Sequence, residues 1–94
     1  MKIYDFNGRK NISGERIRLA RLQRRMTQED LAAKLQLHGI TIERDSISRI
    51  EIGTRFVPDY EIPVFALALG VTVDWLLTAP PSPEKGLPIP QKTC

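Results

Sequence analysis

Residues 27 to 51 read Thr27-Gln28-Glu29-Asp30-Leu31-Ala32-Ala33-Lys34-Leu35-Gln36-Leu37-His38-Gly39-Ile40-Thr41-Ile42-Glu43-Arg44-Asp45-Ser46-Ile47-Ser48-Arg49-Ile50-Glu51, two short amphipathic segments joined by a connector. Thr27 is placed to cap a helix, because its hydroxyl accepts from an orphan backbone N–H, and Asp30 three residues on completes a box-like pairing. A helix is therefore expected from Gln28 to about Leu35, with Leu31, Ala32 and Leu35 inward. In the second segment, steps of 100° per residue put Ile47 and Ile50 on one side. Asp45, Ser48 and Arg49 point the opposite way, with Arg44 beside them. Any surface helix divides in this manner, and a solvated face is the default meaning of that division.

Three further helices are expected around this pair. The first is capped by Asn11 or Ser13 and runs to about Arg25, with Ile17 and Ala20 on one side. Leu19, Leu22 and Ile12 form a second apolar stripe, and such a stripe needs a cover. The fourth helix runs from an Asp59 cap to Leu69, with Val64, Phe65, Ala66, Leu67 and Leu69 inward and Pro63 in or near its first turn. Gly70 stops it, Thr72 caps a last helix from Val73 to about Leu77, and Trp75 is a large anchor for the core or for a dimer contact. The fold class is all-α. From Thr78 onward, five prolines and little apolar periodicity mark residues 79–94 as a disordered tail.

Composition narrows the function. The chain has 94 residues, net charge +3 and a single cysteine. That is enough for one small domain. Cys94 permits no internal disulfide, and with a lone histidine there is no zinc-ligand spacing, so neither metal nor cofactor is expected. No apolar run reaches membrane-spanning length, and Met1-Lys2-Ile3-Tyr4-Asp5 lacks the apolar core of a signal peptide. A cytoplasmic protein is expected. Residues 1–56 carry a charge of +5 and residues 57–94 one of −2. Such a split suits a domain that offers one face to phosphates and keeps the other for protein contacts.

The run Thr27-Gln28-Glu29-Asp30-Leu31-Ala32, followed by Ser46-Ile47-Ser48-Arg49-Ile50-Glu51-Ile52-Gly53, resembles the lambda-repressor-like helix-turn-helix family of the Cro/CI or XRE type. The resemblance covers about Gly14 to Leu77, including an Asp74-Trp75-Leu76-Leu77 ending like that of phage repressor domains. It implies a five-helix DNA-binding domain over residues 11–78, preceded by an arm of residues 1–10 that is either frayed or a basic contact to DNA through Arg9 and Lys10. It further implies that Arg21 pairs with Glu51, that Gln28 and Arg55 touch phosphate, and that Val57 and Pro58 lie near a dimer seam. Arg18 joins the phosphate candidates. The chain departs from the family in its turn, which in related domains holds about four residues and here is about five longer. Leu37, Ile40 and Ile42 alternate with polar neighbours there, so the longer turn is expected to fold back over Leu19 and Leu22. Other covers for that stripe are Ile3, Tyr4 and Phe6, or a second subunit. His38 is expected to be exposed.

This resemblance gives the polar face of the second segment a use. Arginine pairs bidentately with guanine, serine donates or accepts, and aspartate accepts from cytosine N4, so Arg44, Asp45, Ser48 and Arg49 are the base-contacting candidates. Asp45 also repels phosphate and is placed to neutralise Arg49. A domain of this size reads few bases, which predicts a homodimer on a palindrome, with Val57, Pro58 and Trp75 as interface candidates. No nucleophile elbow, phosphate-binding glycine loop or paired histidines are present, so an enzyme is not expected. The alternative is an antitoxin-type regulator whose main partner is a protein, held through the C-terminal tail.

Overall fold

The protein's structure, a computed structural model, describes residues 8–78. Five helices follow one another with no strand among the described residues: α1 (Gly14–Gln23), α2 (Gln28–Leu37), α3 (Arg44–Ile52), α4 (Ile62–Leu69) and α5 (Val73–Leu77). Residues 1–7 and the proline-rich segment 79–94 lie outside the described part, and with them Ile3, Tyr4, Phe6 and Cys94.

Each helix ends for a local reason. In α1 the cap is divided between two residues: Ser13 occupies the N-cap position without a side-chain cap bond, while Asn11 Oδ1 accepts from the Gly14 N–H at 2.8 Å. The helix stops at Gln23, two residues before the expected Arg25, because Arg25 turns into the left-handed region at φ 58°. Met26 N then reaches back to Arg21 O at 3.0 Å and satisfies a terminal carbonyl. The expected box at α2 is present in full: Asp30 N donates to Thr27 Oγ1 at 3.0 Å and Thr27 N to Asp30 Oδ2 at 2.9 Å.

Helix α2 runs two residues past Leu35 and is closed by Gly39, whose φ of 91° lets Ile40 N bond back to Leu35 O. Six residues, 38–43, are left between α2 and α3, about three fewer than expected. Leu37, on the helix, is 84% exposed rather than turned inward, while Ile42 is buried and Ile40 packs against the core. The expected fold-back over α1 does not occur. Leu19 and Leu22 stay 44% and 46% exposed, because the connector's apolar side chains join the main core instead.

Helix α4 begins at Ile62, not after an Asp59 cap. Pro58–Glu61 forms a turn first, with Glu61 N bonded to Pro58 O, and Pro63 then falls in the first helical turn where its missing N–H removes no helix bond. Counting from Ile62, the inward positions are Ile62, Phe65, Ala66, Ala68 and Leu69, so Leu67 points outward at 68% exposure, contrary to expectation. Thr72 caps α5 as expected, its hydroxyl accepting from Trp75 N. The core joins Ile17 and Ala20 of α1, Leu31 and Leu35 of α2, Ile47 and Ile50 of α3, Phe65 and Leu69 of α4 and Leu76 of α5, all fully buried. Burial of each large side chain contributes about 1.5–3 kcal/mol.

Candidate nucleic-acid interface

Nine residues make α3, and its two faces differ as the residue order requires. Ile47 and Ile50 are fully buried and Glu51 nearly so, whereas Arg44, Asp45 and Arg49 are exposed and Ser48 is half-exposed. The four base-contacting candidates thus share the outward side of one rigid element. Arg44 and Asp45 are joined there, Nη1 to Oδ1 at 3.2 Å. Asp45 was expected to neutralise Arg49; its ion pair is with Arg44 instead, the neighbour whose side chain leaves the same first turn.

Behind this face a buried network sets the position of the helix. Glu51 Oε2 accepts from Arg21 Nε at 2.7 Å and Oε1 from Arg21 Nη2 at 3.0 Å, a bidentate pair between α3 and α1. The amide of Gln28, at the start of α2, donates to the same Oε1 at 3.1 Å. Arg21 Nη1 donates to Met26 O at 2.8 Å, within the link between α1 and α2. Three helices therefore meet at one carboxylate, with both charges hydrogen-bonded. A planar guanidinium is the donor that fits this fork.

The remaining candidates divide between exposed and engaged. Arg18 is exposed on α1. Arg55 is half-buried, its Nη1 donating to Phe56 O at 3.2 Å and approaching Glu61 Oε1 at 3.5 Å. Gln28 is half-buried against Glu51, so its placement is set by the network rather than by solvent. Val57 and Pro58 are half-buried beside a cleft of about 390 Å³, which Val57 lines together with Ile12, Ile62, Val73 and Leu77. Trp75 is half-buried under the guanidinium of Arg16, 4.6 Å from the ring centre, a cation–π contact between α1 and α5.

Two features of the site were missed from sequence. Ile52 is 63% exposed and continues the outward row one turn and more beyond Ser48, and its spacing of seven from Asp45 was the signal. The end of α3 is also bound by Arg9 and Asn11, which stand before the first helix. No local pattern announces contacts across about forty residues of chain.

Among the described residues no helix is long and apolar enough to cross a membrane, and no cluster of His, Cys, Asp and Glu could hold a metal ion. Comparison with known proteins agrees with the geometry. No curated protein matches the chain significantly. The crystal structure of a hypothetical transcription factor, NHTF, from Neisseria is similar, with a TM-score of 0.63 and 28% identity over 73% of this chain and 74% of that one. A family model described as a helix-turn-helix domain matches residues 14–80. The chain belongs to the helix-turn-helix domain family, in its XRE/Cro-like, DNA-binding type.

Proposed function

We propose that the protein is a sequence-specific regulator of transcription, acting as a repressor, that lays α3 in the major groove of double-stranded DNA. The observation that carries this reading is the division of α3: Ile47 and Ile50 are sealed in the core while Arg44, Asp45, Ser48 and Arg49 stand on its open side. A B-DNA major groove about 12 Å wide admits such a helix. Arg44 and Arg49 are the guanine readers, Ser48 the adaptable partner, and Asp45 an acceptor for cytosine N4. Exposed Ile52 adds an apolar group of the kind that meets a thymine methyl. Gln28, Arg55 and Arg18 contact phosphate and position the domain without reading bases.

The protein acts as a homodimer, because one α3 reads too few base pairs for useful discrimination. The cleft beside Val57, with Pro58 next to it, and the half-buried Trp75 supply the interface in the less basic half of the chain. A cytoplasmic location follows from the same reading.

Selection of bound sequences from random duplex DNA, using the full chain, tests the proposal. A palindromic site with half-sites about one helical turn apart is expected. Absence of any enriched sequence refutes base reading. If about five phosphates per subunit are neutralised, log affinity falls with log salt at a slope of roughly −4 to −5 per subunit.

A second reading, an antitoxin-type regulator whose main partner is a protein, is favoured by the five prolines of residues 79–94. A small basic protein co-purifying with the full chain, and lost on removal of those residues, supports it.

A further inference from the structure

Every carbonyl at the end of α3 has a donor, and most of those donors come from the opposite end of the domain. Arg9 Nη2 donates to Glu51 O at 3.0 Å and Nη1 to Ile52 O at 3.3 Å. Lys10 N donates to Gly53 O at 2.8 Å. Asn11 Nδ2 donates to Ile50 O at 3.1 Å and to Arg55 O at 2.7 Å, while its Oδ1 receives the Gly14 N–H that opens α1. The guanidinium of Arg9 is further fixed by Glu15 on α1, Nη1 to Oε2 at 3.7 Å.

Two glycines make the approach possible. A Cβ on Gly14 would overlap Ile50 O and fall 2.8 Å from Arg9 Nη2, and one on Gly53 would fall 2.7 Å from Arg9 Cζ. Gly14 admits only a hydrogen where the three segments cross, and a side chain on Gly53 would push the Arg9 guanidinium off the carbonyls it holds. The charge has the right sign as well, since a helix C-terminus carries partial negative charge and a cation placed on it is stabilising.

From these contacts we propose that Arg9 and Asn11 are positioning residues for sequence reading: they clamp the C-terminal end of α3 to the start of α1 and set the tilt at which its open face meets DNA. This rests on the reading of α3 given above. The lever is long relative to the tolerance. Nine residues span about 12 Å from end to end, so a tilt of about 10° pivoting at the clamped end moves Arg44 by about 2 Å. That displacement breaks a hydrogen bond to a base edge. Phosphate contacts through mobile side chains on high-dielectric surfaces survive it. Arg9 therefore acts on specificity without touching a base, and as a clamp it differs from a DNA-binding arm, whose arginine would neutralise a phosphate.

The test uses the full chain and its Arg9→Ala, Arg9→Lys and Asn11→Ala variants, each titrated against the selected duplex and against random duplex over a range of salt. For Arg9→Ala and Asn11→Ala the ratio of specific to random affinity falls by roughly tenfold or more, while the salt slope is unchanged. Arg9→Lys keeps the charge but loses the planar fork, and it does not restore the ratio. A loss of folded population alone lowers both affinities together and leaves the ratio intact, which would overturn the proposal. So would a slope smaller by about 1 with full rescue by Arg9→Lys, the mark of a phosphate contact. Hydrogen exchange without DNA separates the two layers. Faster exchange of the Lys10 amide in Arg9→Ala is required by the clamp, and unchanged exchange removes it whatever the DNA result. A wild-type chain with no preference between duplexes, but with the exchange effect intact, places the failure in base reading and withdraws the specificity role with it.

Discussion

Helix α3 carries two arginine–carboxylate pairs that share their chemistry and little else. At its C-terminal end Glu51 meets Arg21 twice, the closer contact at 2.7 Å, with the two side chains only 3% and 10% exposed. At its N-terminal end Arg44 meets Asp45 once, at 3.2 Å, with side chains 53% and 71% exposed. The inner pair has further partners in Gln28 and Met26 O, so each atom of the fork is committed. The outer pair lies in water between adjacent residues, where an ion pair contributes about 0–1 kcal/mol. The difference teaches which charges hold the domain together and which remain open to a ligand.

The largest expected effect breaks the inner pair. Glu51→Ala leaves the Arg21 guanidinium buried without its carboxylate and costs about 3–5 kcal/mol, mostly as a desolvation penalty. For a domain of this size that lowers the melting temperature by more than about 12 °C. Replacing both partners with apolar residues, Arg21→Met with Glu51→Leu, recovers most of the loss, because no charge is then stranded. Thermal unfolding followed by circular dichroism reads both. A loss below about 1 kcal/mol for Glu51→Ala would place the two pairs in one class.

The next effect belongs to the open face and leaves stability alone. Arg49→Ala costs on the order of 1–3 kcal/mol of binding and relaxes preference at one base pair, while stability stays within about 0.5 kcal/mol because the side chain is exposed. Competition among duplexes changed one base pair at a time reads it. Equal weakening on every duplex would move Arg49 from the bases to the backbone.

How far the sequence could be read follows the same boundary between local and long-range contacts. The Thr27 box, the glycine stops at Gly53 and Gly70, the Thr72 cap and the inward pair Ile47 and Ile50 are set by residues within one or two turns, and all five helices were legible. The helix-turn-helix resemblance added the Arg21–Glu51 pair, which spacing alone does not reveal. Gly39 held an unread signal, since a glycine after an apolar run closes helices, and ending α2 near Leu35 instead put Leu37 in the connector. Leu67 was misplaced for a different reason: residues 62–69 are apolar throughout, so the run hides its own period, and Leu67 lies about 200° around the axis from Phe65, facing away from the core. Asn11 was legible as a cap for α1, but its Nδ2 contacts and those of Arg9 to the end of α3 were not, because their partners are carbonyls, which every residue offers.

A smaller effect tests the start of α2, which carries Gln28 to the inner pair. Thr27→Ala removes the hydroxyl that accepts from Asp30 N and costs about 1 kcal/mol. Hydrogen bonds from the Thr27 backbone first, and from its side chain second, hold the Asp30 carboxyl below its usual 3.8. Because folding lowers this pKa, the stabilisation it reflects is complete above that usual value and is lost as pH falls through the lowered one. The stability gap between the protein and Asp30→Asn is therefore expected to be steady at neutral pH and to narrow in acid. A gap that widens on acidification would mean that the carboxyl gains nothing from the box.

The smallest effect on stability returns to the outer pair. Asp45→Asn gives up one exposed ion pair and one favourable charge in the first turn of α3, and together these change stability by no more than about 1 kcal/mol. Its effect on DNA has two parts of opposite sign. Removing a negative charge from the open face and releasing Arg44 from its neighbour raises affinity for any duplex, since phosphates repel Asp45 and attract Arg44. Losing a carboxylate acceptor lowers affinity for a duplex that presents cytosine N4 to it. Titration against random and selected duplexes therefore gives a crossover, tighter on the first and weaker on the second. A uniform gain on both would leave Asp45 as a guard against unspecific binding, with Arg44 and Arg49 carrying the base reading between them.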